Sequence, residues 1–346
     1  MGIESIVSEL KNYTDAEVFY KNCYDLRSDK KAQARYIASL NQRELKKQNH
    51  ILPGQSGTRR ITETDLFKGN EDKNVILTKH NRYTPAFVHY HEFFEIFFVF
   101  SGECVNIMRE ERFTLSAGNL CFIAPHVNHA LEVFSDSIII NILIRKTAFD
   151  DIFFNLLTTN DILADFFLGS IYTVNPIEFI IFNIDDDLEI REKIYAMLIE
   201  QSRNDKYSIR IVDNLISIFF TLLIRKHGNK PLIQRTIKDI NRQHYLSYIN
   251  EHFRTITLAQ VAKHFSVSVA HCSRLIKSQT GNNFSDLVRD IRLRHSQSLL
   301  TSTNMKIFDI SYSLGYENEE TFLRSFKKVF GITPSQYRQK RLYIGD

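Results

Sequence analysis

The chain has 346 residues and a net charge of +4, and its 43% hydrophobic and 24% charged residues suit two or three globular domains rather than a disordered or collagen-like chain. Four scattered cysteines exclude a disulfide framework and a CxxC zinc site, and they favour a reduced, cytoplasmic protein. The N-terminus has no signal-peptide pattern, and no apolar run approaches the ~18 residues that span a bilayer, so we expect no membrane association.

The first 58 residues are rich in charge and have helical periodicity. Apolar residues recur at helical intervals between Ile3 and Leu10, and residues 30–48 form a second candidate helix that the Pro53-Gly54 pair would end. We therefore predict an N-terminal helical arm over residues 1–58. The sequence does not indicate what this arm does.

Residues 59–147 change to short β-rich runs. VILTK, FFEIFFVF, NLCFIA and SIIINILI are separated by turn residues such as Ser101-Gly102 and Ala124-Pro125. Strands at this spacing are typical of a small β-barrel or sandwich. We predict a barrel over residues 59–147.

The barrel contains a cluster of titratable residues in a recognisable order. Residues 89–102 follow H-x-H-x3-E-x6-G, with His89, His91 and Glu95, and His129 lies downstream. This order resembles the two motifs of cupin barrels, in which histidines and a glutamate surround a metal ion. The barrel is therefore predicted to be cupin-like.

Three interpretations of these four side chains stay open. Imidazole and carboxylate ligands suit Fe, Mn, Zn or Ni. The same groups can instead bind a small organic effector in the barrel mouth, lined by aromatic residues such as Tyr90, Phe94 and Phe98. They can also have a purely structural role, in which hydrogen bonds between them stabilise the rim of the barrel. We favour the effector and expect neither a metal nor another cofactor.

Residues 148–228 return to a helical period. Ile190, Ile194 and Leu198 share one face, and a second apolar stripe runs from Ile211 to Leu222. Two successive amphipathic helices predict a dimerisation segment that forms a homodimer. The alternative is that the second stripe packs on the chain's own barrel. Residues 229–231 are the best candidate for a linker.

The last 110 residues contain an internal repeat. TLAQVAKHFSVSVAHCSRLIKSQTG resembles KIFDISYSLGYENEETFLRSFKKVFG, at an offset of 49 residues that becomes 50 after a one-residue insertion. Each copy has a short helix, a tight turn and a capped second helix that ends at a glycine, which predicts helix-turn-helix units at about 257–281 and 306–331. Residues 235–346 also hold 17 Lys and Arg against 9 Asp and Glu, and this net charge of +8 indicates an anionic partner.

Residues 240–340 resemble the DNA-binding domain of the AraC/XylS family of bacterial transcription regulators. The most specific match is F-x-R-x-F-K-x3-G-x-T-P-x-x-Y-R from Phe322, after the Gly315-Tyr316 turn, and I-R-L at 291–293 matches the family's linker helix. Ser311 stands where the family usually has alanine, which alters packing rather than the recognition face. The resemblance implies two helix-turn-helix units joined by a linker helix over residues 235–346.

The resemblance also implies which residues meet double-stranded DNA. The predicted DNA-binding residues are Ala270, Ser273, Arg274, Lys277, Glu320, Thr321, Arg324, Lys327 and Lys328. Arginine can donate a bidentate pair to guanine, whereas lysines mainly hold phosphates. Glu319 and Glu320 lie at the start of the second recognition helix, where a carboxylate interacts favourably with the helix dipole. Alternatively, Glu320 accepts a hydrogen bond from the N4 amino group of cytosine.

These observations predict an α+β multidomain protein that contains a cupin-like β-barrel, a helical dimerisation segment over residues 148–228 and an all-α DNA-binding domain. We expect a bacterial transcription regulator, an activator that contacts RNA polymerase, whose activity a small effector modulates. We expect no catalysis. The alternative from a different class is a metal-dependent cupin enzyme or metal sensor with an accessory helical domain.

Overall fold

A computed structural model describes residues 2–41, 43, 45, 51–53, 57–148, 162–174, 176–228, 231–236 and 244–342. The chain divides into two compact units. The first contains residues 1–145, 180–219 and 231–233, and the second contains residues 146–179, 220–230 and 234–346. No helix in the described ranges is both long and apolar enough to span a bilayer.

The described part of the N-terminal segment contains three helices. Its helices are α1 (Ile3–Lys11), α2 (Asp15–Asp25) and α3 (Lys30–Ser39). A capping box between Thr14 and Glu17 fixes the start of α2, because each side chain satisfies a backbone N–H of the other residue. The predicted continuation of α3 to residue 48 lies mostly outside the described residues, as does Gly54.

The strands of the barrel follow in chain order, interrupted by one short helix. They are β1 (Arg59–Ile61), α4 (Glu63–Leu66), β2 (Val75–Lys79), β3 (His89–His91), β4 (Phe94–Ser101), β5 (Glu103–Met108), β6 (Glu111–Ser116), β7 (Asn119–Ile123), β8 (Ala130–Glu132) and β9 (Ile138–Ile144). All the predicted β-rich runs form strands, so the mixed α+β class is confirmed.

The barrel core lies between two sheets of unequal size. In the larger sheet, β4 pairs antiparallel with both β7 and β9, and β9 also pairs with β2. The smaller sheet has the order β6-β5-β8. Both faces of β4 are buried, which matches its nearly continuous run of phenylalanine, isoleucine and valine. β4 is therefore a central strand, and polar groups on it are enclosed.

Residues 162–236 contain α5 (Ile162–Tyr172), β10 (Ile177–Asn183), α6 (Leu188–Arg203), α7 (Ser208–His227) and β11 (Ile233–Thr236). We expected helices throughout residues 148–228, and for β10 this expectation is wrong. The sequence IEFIIFN is dense in β-branched and aromatic residues, which favour a buried strand. Residues 149–161 and the 229–230 part of the candidate linker lie outside the described residues.

The C-terminal helices have the predicted repeated arrangement. They are α8 (His244–Glu251), α9 (Leu258–His264), α10 (Val269–Thr280), α11 (Phe284–Ser302), α12 (Ile307–Ser313), α13 (Glu319–Phe330) and α14 (Pro334–Leu342). α9 with α10 and α12 with α13 form the two helix-turn-helix units, and α11 joins them. The capping box between Thr257 and Gln260 starts α9 as predicted.

Candidate functional site

A cavity of about 230 Å³ lies within the first unit, between the two sheets. One part of its wall is apolar and includes Phe87, Phe93, Phe97, Leu131 and Leu143. The other part is polar and contains the four predicted residues together with His80 and Asn141. A mainly apolar cavity with a few convergent polar groups is the usual form of a small-molecule site.

The structure brings the four predicted residues together. Oε2 of Glu95 lies 3.0 Å from Nε2 of His129 and 3.2 Å from Nε2 of His91. His89 pairs with His129 through two backbone hydrogen bonds of 2.9 Å, which hold the two rings side by side. Of these, His89, Glu95 and His129 place ligand atoms within 4.8 Å of one another and are able to hold a metal ion.

Two further residues, Asn141 and His80, lie in the cavity wall beside this cluster. Asn141 on β9 donates a 3.0 Å hydrogen bond to Oε1 of Glu95, since the two residues lie on adjacent strands of the larger sheet. His80 also lines the cavity, and among the described residues its Nε2 has no hydrogen-bond partner. Asn141 and His80 are site residues that the sequence analysis missed, because neither belongs to the H-x-H-x3-E pattern.

Burial and hydrogen bonding shift the pKa values of the cluster in opposite directions. Burial by itself would raise the pKa of Glu95, but hydrogen bonds from His129 and His91 outweigh it and hold this pKa well below the usual range. Burial lowers the pKa of His89 to about 3 and that of His80 to about 4. The site therefore holds an ionised Glu95 together with uncharged His89 and His80 at neutral pH.

The aromatic lining differs from the prediction. Phe93 and Phe97 face the cavity, whereas the predicted Phe94 and Phe98 are fully buried in the opposite direction. Side chains alternate across a strand, so Phe97 shares a face with Glu95 and Phe98 does not. The third predicted aromatic residue, Tyr90, does not line the cavity either.

The helical arm also contributes to the cavity wall. Ala16 and Tyr20 on α2 line it, and the Tyr20 hydroxyl accepts a 3.0 Å hydrogen bond from the backbone N–H of Ile51, which lines it as well. Sequence reasoning missed this role, because contacts between residues so far apart in the chain leave no local pattern.

A buried ion-pair cluster fixes α2 to the barrel. The fully buried Glu17 lies 2.7 Å from the Lys79 ammonium and 3.0 Å from the Arg82 guanidinium. Burial would raise the pKa of Glu17, but hydrogen bonds from Arg82 and Lys79 lower it to about 2. An ion pair this well buried is costly to break. The arm helix is thus a fixed part of the pocket.

In the second unit, the predicted DNA-binding residues lie on the outer faces of α10 and α13. Of the nine, Ser273 is half-buried and the other eight are exposed. The inner faces are formed by Cys272 and Ile276 on α10 and by Phe322 and Phe326 on α13, all buried. The outer face of α10 therefore presents two basic residues to solvent, and that of α13 presents three.

The two arginines of these faces are free to bind. Among the residues that the structure describes, neither Arg274 nor Arg324 has an ion-pair or hydrogen-bond partner, and both are exposed. An N-terminal cap orients each helix, through Ser268 on α10 and Asn318 on α13. Helices of this kind insert into the major groove with residues near their N-termini at base edges.

The helix α7 carries apolar residues on two faces. Val212, Ile216 and Phe219 are buried on one face. On another side of the helix, Ile211 and Ile218 are 38% and 46% exposed, and Tyr207, which immediately precedes the helix, is 61% exposed. A helix that is apolar on both faces is typical of a helix with a second packing partner.

Two family models match separate parts of the chain. Residues 76–151 match the AraC-like ligand-binding domain, and residues 261–340 match a helix-turn-helix domain. The transcriptional activator RhaS of Escherichia coli is 24% identical over 254 residues, which is 73% of this chain and 87% of RhaS.

The chain is also similar to solved structures. Apo ToxT from Vibrio cholerae covers 77% of this chain and 97% of its own, with 17% identity and a TM-score of 0.34. The C-terminal domain of AraT, a response regulator from Geobacillus stearothermophilus, covers 30% of this chain and 87% of its own, with 35% identity and a TM-score of 0.29.

Proposed function

The chain belongs to the AraC/XylS family of DNA-binding transcription regulators, and on this premise we propose that it activates transcription when a small effector binds in the barrel cavity. The observation that carries the proposal is the barrel cavity, whose apolar wall leads to the cluster of His89, His91, Glu95 and His129. The enzymatic alternative is not favoured, because the matched family and RhaS are regulators.

The size and the lining of the cavity indicate how large the effector is and which of its parts are apolar and polar. A volume of about 230 Å³ accommodates only a small molecule. Its apolar part would pack on Phe87, Phe97 and Leu131, and its polar part would contact the Glu95 cluster. Because Tyr20 and Ala16 of the arm share this wall, a bound effector would also contact the arm.

We further propose that the protein works as a homodimer, with RNA polymerase as its partner at the promoter. The exposed residues Ile211 and Ile218 of α7, with Tyr207 immediately before the helix, support the dimer, since pairing the helices of two copies would remove this apolar stripe from water. RhaS is named as a transcriptional activator, which supports the contact with RNA polymerase.

A reporter experiment tests the effector proposal. Genome-wide mapping of bound DNA identifies the operator, and a reporter at that operator then measures the response across growth conditions. We expect the double variant His89→Ala with Glu95→Ala to bind the operator but to lose its response. The control His252→Ala changes an exposed histidine outside the cavity and should respond as the wild type does. An unchanged response in the double variant would contradict the proposal.

The solution mass tests the dimer. We expect a dimer at micromolar concentration, and we expect Ile218→Asp to give a monomer that remains folded, because Ile218 is 46% exposed. The matched control is Ile216→Val, a conservative change on the buried face of the same helix. A wild-type monomer, with or without DNA, would exclude the dimer.

A further inference from the structure

The two helix-turn-helix units touch each other directly, besides being joined by α11. Arg254, in the loop between α8 and α9, lies against Gly315 in the turn between α12 and α13. A Cβ on Gly315 would be 2.0 Å from the carbonyl oxygen of Arg254, so only a glycine allows this approach. The loop that leads into the first unit and the turn of the second unit are therefore in backbone contact.

One side chain of α11 binds this junction from a third side. Nε of Arg292 donates a 3.1 Å hydrogen bond to the carbonyl oxygen of Phe253, and Nη2 donates a 2.8 Å hydrogen bond to that of Arg254. The guanidinium carbon also lies 5.5 Å from the centre of the Tyr316 ring, within the range of a cation–π interaction. A planar guanidinium thus links α11, the loop before α9 and the turn before α13.

Both sides of the junction are anchored in the packed interior. Phe253 is buried, and its ring stacks on His295 of α11 with the ring centres 3.9 Å apart. Tyr316 is buried as well, and its ring centre lies 5.4 Å from that of Phe322 on the inner face of α13. The contacts therefore lead from Arg292 through Tyr316 to the second recognition helix.

The relative orientation of the two units decides which DNA they fit. Recognition helices in successive major grooves lie about 34 Å apart along the duplex. One extra base pair between their sites moves the second site by about 3.4 Å and rotates it by about 35°, since a turn has 10–10.5 base pairs. The helix α11 begins and ends at residues with extended backbone, Asn283 and Thr303, and hinges form at such positions. The contacts of Arg292 oppose rotation there.

We propose that Arg292 is a positioning residue that holds the two helix-turn-helix units in one relative orientation and thereby sets the spacing of the two DNA sites that the protein accepts. Arg292 contacts no DNA in this role. It acts through the carbonyl oxygens of Phe253 and Arg254 and through the ring of Tyr316. The proposal rests on DNA binding alone and is independent of the proposed effector and dimer.

Operators with altered spacing test this role. Genome-wide mapping identifies the operator, footprinting with the full chain locates its two major-groove sites, and one base pair is then inserted or deleted between them. We expect the wild type to bind either altered operator at least about tenfold more weakly, because one recognition helix loses its base contacts. In Arg292→Ala this ratio should fall below about threefold, since the second unit can turn to follow its site.

Two further variants separate positioning from charge. Arg289→Ala removes the same charge from the same helix, but Arg289 pairs with Asp286 and Asp290 of α11, so this variant should keep the wild-type ratio. Arg292→Lys keeps the charge, but a single ammonium does not reproduce the paired donation of a planar guanidinium, so the ratio should be intermediate. A smaller folded fraction lowers the apparent affinity for every operator equally and leaves the ratio unchanged.

The ratio also distinguishes positioning from a merely stabilising role. If Arg292 only stabilises the domain, Arg292→Ala will have a lower Tm and will bind all three operators more weakly by the same factor, which would overturn the proposal. A wild type that binds the three operators equally would overturn it too. If circular dichroism shows that Arg292→Ala does not fold, Arg292→Lys is measured in its place, and a wild-type ratio in that variant would contradict the role.

Discussion

The two helix-turn-helix units have nearly the same backbone although few of their residues are identical. Their recognition helices end at Gly281 and Gly331, with φ angles of 74° and 75°. The turn before each helix contains one residue in the left-handed region, Ser266 with φ 54° and Gly315 with φ 82°. Side-chain caps and left-handed residues at equivalent positions therefore reproduce one fold from two sequences.

The outer surfaces of the two units differ much more than their interiors. Ala270 on the first recognition helix corresponds to Glu320 on the second, and both are exposed. On the supporting helix of the second unit, Phe308 and Tyr312 are each 51% exposed, and the exposed Lys263 of the first unit corresponds to Tyr312. The comparison indicates that buried residues and caps define the shape of each unit, while exposed residues determine what each unit contacts.

The largest expected effect comes from the turn of the second unit. A Cβ on Gly315 would lie 2.0 Å from the backbone oxygen of Arg254, and the φ of 82° disfavours any L side chain. We expect Gly315→Ala to lower the free energy of unfolding by about 3–5 kcal/mol, because backbone must move to remove the clash. Denaturant unfolding of the full chain, followed by circular dichroism, measures this loss.

Two matched variants separate the clash from the φ angle. Gly331 has a similar φ of 75° and no atom within 4 Å of its would-be Cβ, so Gly331→Ala should cost only about 1–2 kcal/mol. Ser266→Gly in the first unit relieves a left-handed serine and should be neutral or slightly stabilising. Equal losses for Gly315→Ala and Gly331→Ala would show that the contact with Arg254 is unimportant.

The next effect concerns the arginines that the two units share. Arg274 and Arg324 occupy equivalent exposed positions, and each can donate a bidentate pair to guanine. We expect Arg324→Ala and Arg274→Ala each to weaken operator binding by about 1–3 kcal/mol, with little loss on random DNA. Fluorescence anisotropy with both DNAs at one salt concentration measures the difference. An equal loss on the two DNAs would make the residue a phosphate contact.

The features that could be predicted from sequence are those that local patterns encode. The repeat, the caps at Thr257 and Ser268 and the β-rich runs depend on residues close together in the chain, and the structure has them all. The cluster of His89, His91 and Glu95 was predictable for the same reason, since its members belong to one short pattern.

Long-range contacts account for what the sequence analysis missed. Tyr20 and Glu17 reach the barrel from the arm, and no local pattern reports such a contact. Phe97 lines the cavity and Phe98 does not, because only one face of β4 points toward the cavity. The sequence does not reveal which face this is, since phenylalanines occupy both faces of the strand. The strand β10 (Ile177–Asn183) shows that an apolar run between two helices can join a β-sheet rather than form another helix.

A smaller effect is expected from the lysines of the recognition helices. Lys277 and Lys327 are equivalent and exposed, whereas Lys328 of the second unit corresponds to the uncharged Ser278 of the first. Each lysine that neutralises a phosphate releases a counterion when the protein binds DNA. Each Lys→Ala variant should therefore make the negative slope of log K against log salt less steep by about 0.9. Ser278→Lys should make this slope steeper by the same amount if the first unit contacts DNA as the second does. Binding titrations between 50 and 300 mM salt, roughly the range in which the slope is linear, measure this change.

The smallest expected effect comes from exchanging the charge that distinguishes the two recognition helices. Glu320 lies in the first turn of its helix, where a carboxylate favours the helix dipole by about 0.3–1 kcal/mol, and Ala270 occupies the equivalent position. Glu320→Ala should therefore lower the free energy of unfolding by this amount, and Ala270→Glu should raise it. On DNA, loss of the carboxylate should strengthen non-specific binding a few-fold at low salt, because its repulsion of phosphates is removed. If Glu320 instead accepts a hydrogen bond from cytosine, Glu320→Ala will lose discrimination at one base pair of the operator by about 1–3 kcal/mol. Binding to operators substituted at single positions distinguishes the two roles, and unchanged stability in both variants would contradict the dipole contribution.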